Sequence, residues 1–98
     1  MSISASVEGN QCVITILDRF DFSTQNEFRK AYEAADPGSH FVLDFSGADY
    51  MDSSALGMLL LLRDYAGGDH ANIELRHCKP EIKNILEISN FQKLFKLS

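Results

Sequence analysis

The side chains best placed to do chemistry cluster in one stretch, Tyr50-Met51-Asp52-Ser53-Ser54-Ala55-Leu56-Gly57. A carboxylate precedes two adjacent hydroxyls at the point where a strongly apolar run begins. One such residue is enough to cap a helix, because its oxygen accepts a free backbone N–H of the first turn. Two neighbouring hydroxyls at the mouth of an apolar helix also suit regulation. A helix start presents unsatisfied N–H groups and the positive end of the dipole, so it accommodates a phosphoryl group without dismantling the fold.

Other chemistries find little support. The chain has no GxGxxG or Walker sequence to cradle a phosphate, and its serines are not set in G-x-S-x-G. His40 and His70 lie in polar turn contexts and His77 lies on an expected strand. A lone histidine without a placed carboxylate is usually structural. Cys12 and Cys78 sit in apolar β-like runs without CxxC spacing and read as buried thiols. These residues give no catalytic set, no metal site and no cofactor, so the expectation is a non-enzymatic domain.

Composition narrows the partners. The chain has 98 residues, room for one core. Its 14 acidic against 9 basic residues leave a net charge of -5, which disfavours counterion-driven binding to nucleic acid and docking on an anionic membrane. The most apolar run, Ala55 to Leu62, is far short of the ~20 residues that span a bilayer. No basic region followed by an apolar stretch opens the sequence, so no signal peptide is expected and the cytoplasm is the expected compartment.

The elements that position Asp52-Ser53-Ser54 follow from periodicity. Residues 2–8 alternate Ile3, Ala5, Val7 with polar residues, the period of a half-buried strand. Gly9-Asn10 reads as a hairpin turn, and Cys12 to Leu17 as a more central strand. Asp18-Arg19-Phe20-Asp21-Phe22 breaks the pattern. Thr24 and Glu27 have capping-box spacing, and Phe28, Ala31, Tyr32 and Ala35 form one helical stripe. Asp36-Pro37-Gly38 stops that helix. A strand over 41–45 leads through a connection at 47–52 to a helix over about 54–66, apolar nearly all round and so expected to be buried on several sides. A strand over 72–78 and a helix opened by Pro80 follow, and Phe91, Leu94 and Phe95 mark a last short helix. The order ββαβαβαα predicts one α/β domain over residues 1–98: a four-stranded mixed sheet with helices packed mainly on one face.

The stretch around Ser54 resembles the phosphorylation motif of the anti-sigma factor antagonists, single-domain members of the STAS family. The resemblance covers the whole chain. Leu17-Asp18-Arg19-Phe20-Asp21 is similar to the family's turn after its second strand, and Ser89-Asn90-Phe91-Gln92-Lys93-Leu94-Phe95 to its closing segment. Two positions depart from the pattern: Ala55 and Asp18 each stand where the family has glycine.

The resemblance implies a STAS fold and action by partner switching. The unphosphorylated form would bind an anti-sigma factor, often itself a serine kinase, and so free a sigma factor. Phosphorylation at Ser54 would break that complex, and a metal-dependent serine phosphatase would restore it, with ATP and metal belonging to those partners. Asp21, Ser23, Asp52, Ser53, Ser54 and Gly57 are the expected partner-binding residues, with the 47–51 connection beside them. Two alternatives come from other classes: a receiver-like domain phosphorylated on Asp44, and a small serine hydrolase using Ser53 or Ser54.

Overall fold

The computed structural model describes residues 2–98; Met1, the first residue of the expected domain, lies outside them. One five-stranded sheet runs in the order β1-β2-β3-β4-β5. Strands β1 (Ile3–Glu8) and β2 (Gln11–Phe20) form the expected antiparallel hairpin, with Glu8 opposite Gln11 across Gly9-Asn10. Gly9 takes φ 57, the left-handed region that such a turn needs. From β3 onwards each strand is parallel to its predecessor. The crossovers carry α1 (Gln25–Glu33), α2 (Ser53–Tyr65) and α3 (Pro80–Ile88), between β2, β3 (His40–Met51), β4 (Asn72–Arg76) and β5 (Lys96–Leu97).

The sheet has one covered face. Cys12, Phe41 and Ile73 are aligned across β2, β3 and β4, as are Ile14, Leu43 and Leu75. All six join one core with Phe28, Ala31 and Tyr32 of α1, Ala55, Met58, Leu59 and Leu62 of α2, and Ile82 and Leu86 of α3. Phe20 bridges the layers, edge-on to Phe28 at 5.0 Å and to Phe45 at 5.7 Å between ring centroids. The opposite face carries Thr15, Asp44, Glu74 and Arg76, with Glu74 accepting two hydrogen bonds from Arg76 at 2.9 and 3.2 Å. Among the described residues no helix is long and apolar enough to cross a membrane.

Several expectations need correction. The sheet has five strands, not four. Phe91–Lys93 makes a single 3-10 turn after Asn90, which sits at φ 60, and the chain then pairs Lys96 and Leu97 with Glu74 and Leu75. A strand of two residues has no periodicity to read. Residues 47–51 of the expected connection are absorbed into β3, because β2 also runs on past Leu17 and pairs with it as far as Phe20 and Met51. The expected strand over 72–78 stops at Arg76, where His77 turns to φ 58.

Three local readings also change. The capping box does not form: Thr24 Oγ1 donates to the Asp21 carbonyl, while Glu27 accepts the Ile3 N–H at 3.3 Å. In β1 only Ile3 is buried, since the strand is an edge that α1 does not fully cover. Helix α2 buries one face, leaving Leu60 and Leu61 at 43% and 52% exposure, because no layer lies outside it.

Leu59 is fully buried at the centre of that face. Leu59→Ala is expected to lower unfolding free energy by ~2–5 kcal/mol, read as a shift of the urea midpoint at unchanged slope.

Candidate functional site

Strands β2 and β3 end side by side, with Arg19 aligned to Tyr50 and Phe20 to Met51. The chain therefore leaves the sheet at two adjacent points, and an aspartate stands at each. Asp21 and Asp52 are both extended, at φ -145 and -121, and each turns the chain into a helical segment. Asp21 Oδ1 accepts the Ser23 N–H at 3.0 Å, and Asp52 Oδ1 accepts the Ser54 N–H at 3.1 Å. Each serine hydroxyl donates to the same oxygen, at 2.5 Å in both places. Asp52 also takes the Ala55 N–H at 3.3 Å. Asp-Phe-Ser and Asp-Ser-Ser are thus built alike: a short side chain satisfies the free donors of a first turn.

The charges are arranged unevenly around the two caps. Arg19 Nε donates to Asp21 Oδ2 at 2.9 Å, while its guanidinium lies 4.3 Å from the centre of the Tyr50 ring. The Ser23 hydroxyl, then Arg19, hold the Asp21 carboxyl below the usual carboxylate range against the opposing effect of burial. Arg19 is shifted up, chiefly by its hydrogen bond to Asp21. Lys79, just before α3, ties down the end of β3 through Asp49.

The structure brings the expected site residues to one end of the sheet. Asp21 is buried, Asp52 and Ser54 are half-buried, and Ser23 and Ser53 are exposed. Gly57 lies three residues beyond Ser54 on an open part of α2, where an added Cβ would meet nothing within 4 Å. Ala55 is fully buried under the first turn, and Asp18 takes the left-handed φ of 63 that glycine would adopt more readily. Arg19 is the neighbour that the sequence does not single out, while Tyr50 and Phe22 fall inside the expected 47–51 and 21–23 segments without being named for a role. Phe22 is 68% exposed between its two polar neighbours. The only hint is an aromatic residue interrupting a polar turn.

The alternative residues stand elsewhere. Asp44 is not at a strand end, because β3 continues to Met51. It lies on the open face, accepting the Ser46 N–H at 2.9 Å and 3.1 Å from His77 Nδ1; burial opposes its ionisation, but these partners hold its carboxyl below the ordinary range. His40 opens β3 beside Glu74, and His70 lies in the turn after α2, so neither adjoins Ser54. Among the described residues no three His, Cys, Asp or Glu side chains converge as metal ligands. Burial raises both thiols, Cys78 to about 11, which leaves them protonated at neutral pH.

Because Ser23 is the largest influence on Asp21, Ser23→Ala is expected to move the carboxyl's NMR titration midpoint back toward the ordinary range. In the wild type its folded-state midpoint is depressed. Its contribution to stability is therefore present above the unfolded value near pH ~4 and is lost as pH falls through the lower folded midpoint. Ser23→Ala should narrow that acid-loss window, checked by melting curves from neutral pH downwards.

Comparison with known proteins places this geometry in context. Residues 3–97 match the family described as Mlab, STAS domain. A STAS-domain containing protein of Pseudomonas aeruginosa (strain UCBPP-PA14) is 52% identical over 101 residues, covering all of both chains. An anti-sigma factor antagonist from Mycobacterium paratuberculosis superposes with a TM-score of 0.81 at 16% identity, covering 97% of this chain and 82% of that one. The anti-sigma factor antagonist SpoIIAA in its unphosphorylated form gives 0.74 at 16% identity, covering 98% and 86%. At such identities it is the fold that is shared. With the family match spanning nearly every described residue and a relative identical at half its positions, the chain belongs to the STAS domain family.

Proposed function

We propose that this domain is an anti-sigma factor antagonist that works by partner switching in the bacterial cytoplasm. In its unphosphorylated form it binds an anti-sigma factor through the surface formed by Asp21–Ser23, the end of β3 and the start of α2, and a sigma factor is released. The anti-sigma factor or a separate serine kinase transfers the γ-phosphoryl group of ATP to Ser54 Oγ, and the hydroxyl proton leaves. A metal-dependent serine phosphatase hydrolyses the ester and regenerates the hydroxyl. ATP and metal are bound by those partners.

The observation that carries this reading is the position of Ser54. Its hydroxyl lies in the first turn of the thirteen-residue α2, bonded to the residue that caps the helix. The fold likenesses support the same reading, since they include anti-sigma factor antagonists, and SpoIIAA was solved in a phosphorylated form as well.

The physical consequence of phosphorylation is local. Replacing the hydroxyl proton by a phosphoryl group removes the donor that now reaches Asp52 Oδ1 and sets about -1.5 to -2 charges beside that carboxylate. Asp52 retains the Ser54 and Ala55 N–H groups, so the helix keeps its cap. The dipole of α2 offsets part of the repulsion, by ~0.3–1 kcal/mol. The domain stays folded, but its surface no longer fits a partner shaped around a hydroxyl. An unpaired charge in such an interface costs several kcal/mol, and each ~1.4 kcal/mol is tenfold in affinity.

Ser54→Ala is expected to bind the anti-sigma factor constitutively. Ser54→Asp is expected to bind at least about a hundredfold more weakly while melting close to the wild type. Ser53→Ala is expected to remain a substrate for phosphorylation. Calorimetric titration of the partner into phosphorylated and unphosphorylated protein, with melting curves of both, decides the matter: equal affinities, or a phosphorylated form that is unfolded, would overturn the proposal.

A further inference from the structure

The two edges of the sheet are unequal. β5 is only two residues long and carries Lys96, both of which discourage another strand from adding to it. β1 runs for six residues without proline, lysine or a bulge, and all but Ile3 are exposed. Its covered-face row is also open. Ala5 and Val7 are aligned with the fully buried Ile14 and Cys12, yet both are exposed, Val7 at 47%. An apolar ledge therefore continues the core out to an unpaired backbone.

The hydrogen-bonding direction of that backbone can be assigned. The Leu17 N–H donates to the Ser2 carbonyl at 2.8 Å. Ser2, Ser4, Ser6 and Glu8 thus turn their backbone groups towards β2, and Ile3, Ala5 and Val7 turn theirs outward. Glu27 confirms the direction, since its carboxylate takes the outward Ile3 N–H at 3.3 Å. The N–H and C=O groups of Ala5 and Val7 and the carbonyl of Ile3 face away from the sheet.

We infer that β1 is a self-association edge that pairs antiparallel with β1 of a second copy, about a two-fold axis at Ala5. The sequence Ile3-Ser4-Ala5-Ser6-Val7 is a near-palindrome about that residue. With Ala5 opposite its counterpart, Ile3 faces Val7 and Ser4 faces Ser6, while Glu8 faces Ser2, so no like charges are opposed. The two Ala5 residues exchange both backbone hydrogen bonds, and each Val7 N–H reaches the Ile3 carbonyl of the other copy. These four bonds leave Glu27 in place. The apolar rows meet on the covered face, the serines meet on the open face, and the sheets join as one. An isologous contact of this kind closes on itself and gives a dimer, not a fibre. Two chains of net charge -5 repel, so association should strengthen as salt rises.

The test is sedimentation or light scattering of the whole chain over a concentration series, with amide exchange of Ala5 and Val7. The wild type is expected to show a concentration-dependent monomer–dimer equilibrium, with these two amides slowing as dimer forms. Ala5→Pro removes the central outward donor while leaving every bond to β2 intact, a placement an edge strand tolerates. It is expected to weaken association by about tenfold or more and to melt near the wild type. Val7→Lys, a common edge-protecting substitution, gives the same reading should proline perturb folding. Glu27→Ala frees the Ile3 N–H for a further pair of bonds and is expected to strengthen the dimer; an unchanged constant overturns the Ala5-centred register. A wild type that stays monomeric up to about 1 mM, or a dimer that persists in both Ala5→Pro and Val7→Lys, overturns the inference.

Discussion

The parallel pairing of β2 with β3, carried past Leu17 to Phe20 and Met51, governs the working end of this domain. Strands in parallel register that stop together must release their chains at neighbouring points. Here both chains leave through an aspartate and turn into helical segments. Two caps of similar construction result, 31 positions apart in sequence (Asp21 and Asp52) and at neighbouring strand ends. The pairing is not perfectly regular: the register shifts between Thr15 and Leu17 and between Asp18 and Arg19, and Asp18 takes φ 63 there. These irregularities add twist and re-aim side chains near a strand end. Arg19 thereby comes to lie against both Asp21 and Tyr50.

A sheet covered on one face places its remaining chemistry in a particular way. The three helices and one side of the sheet share a single core, so the outer surface of α2 and the far face of the sheet must meet water. On the far face, charged residues pair laterally: Arg76 holds the Glu74 carboxyl below its ordinary range, and His77 lies against Asp44. Solvent-accessible pairs of this type, even when partly buried, keep an uncovered sheet face polar. On the helical side Phe22 remains exposed next to the Asp21 cap, and Leu60 and Leu61 remain exposed farther along α2. Phe28, Met58, Tyr32 and Leu61 also border a small open groove of ≈ 50 Å³ between α1 and α2, with Gln25 and Arg29. An apolar surface adjoining a pair of hydrogen-bonded hydroxyls matches what a protein partner reads: area for affinity and polar groups for discrimination.

The two caps are alike in hydrogen bonding but not in electrostatics. Asp21 has a cation on its second oxygen and is buried, whereas Asp52 has only backbone and hydroxyl donors. Ser23 is exposed on a three-residue 3-10 turn, and Ser54 is half-buried in the first turn of a long helix. A negative group added at Ser54 meets a longer aligned run of peptide dipoles than one added at Ser23. That asymmetry favours Ser54 over Ser23 as the proposed phosphoryl acceptor.

Much of this was legible in residue order. The hairpin at Gly9-Asn10, the stripe of Phe28, Ala31, Tyr32 and Ala35, the cap at Asp52 and the proline start of α3 rest on local rules, and local energetics decide them. The resemblance around Ser54 extended the reading to the family. Tertiary structure decided the rest. Whether Thr24-x-x-Glu27 forms a capping box depended on competition from Asp21 and on the Ile3 N–H nearby. Whether residues 47–51 form a loop or a strand depended on how far β2 runs alongside. A fifth strand of two residues exists only because β4 offers it a partner. The apolar character of α2 marked it as a core helix, but which leucines it leaves in water was set by the absence of a second layer. Hydrogen-bond partners distant in sequence fix these features, and no periodicity within one segment records them.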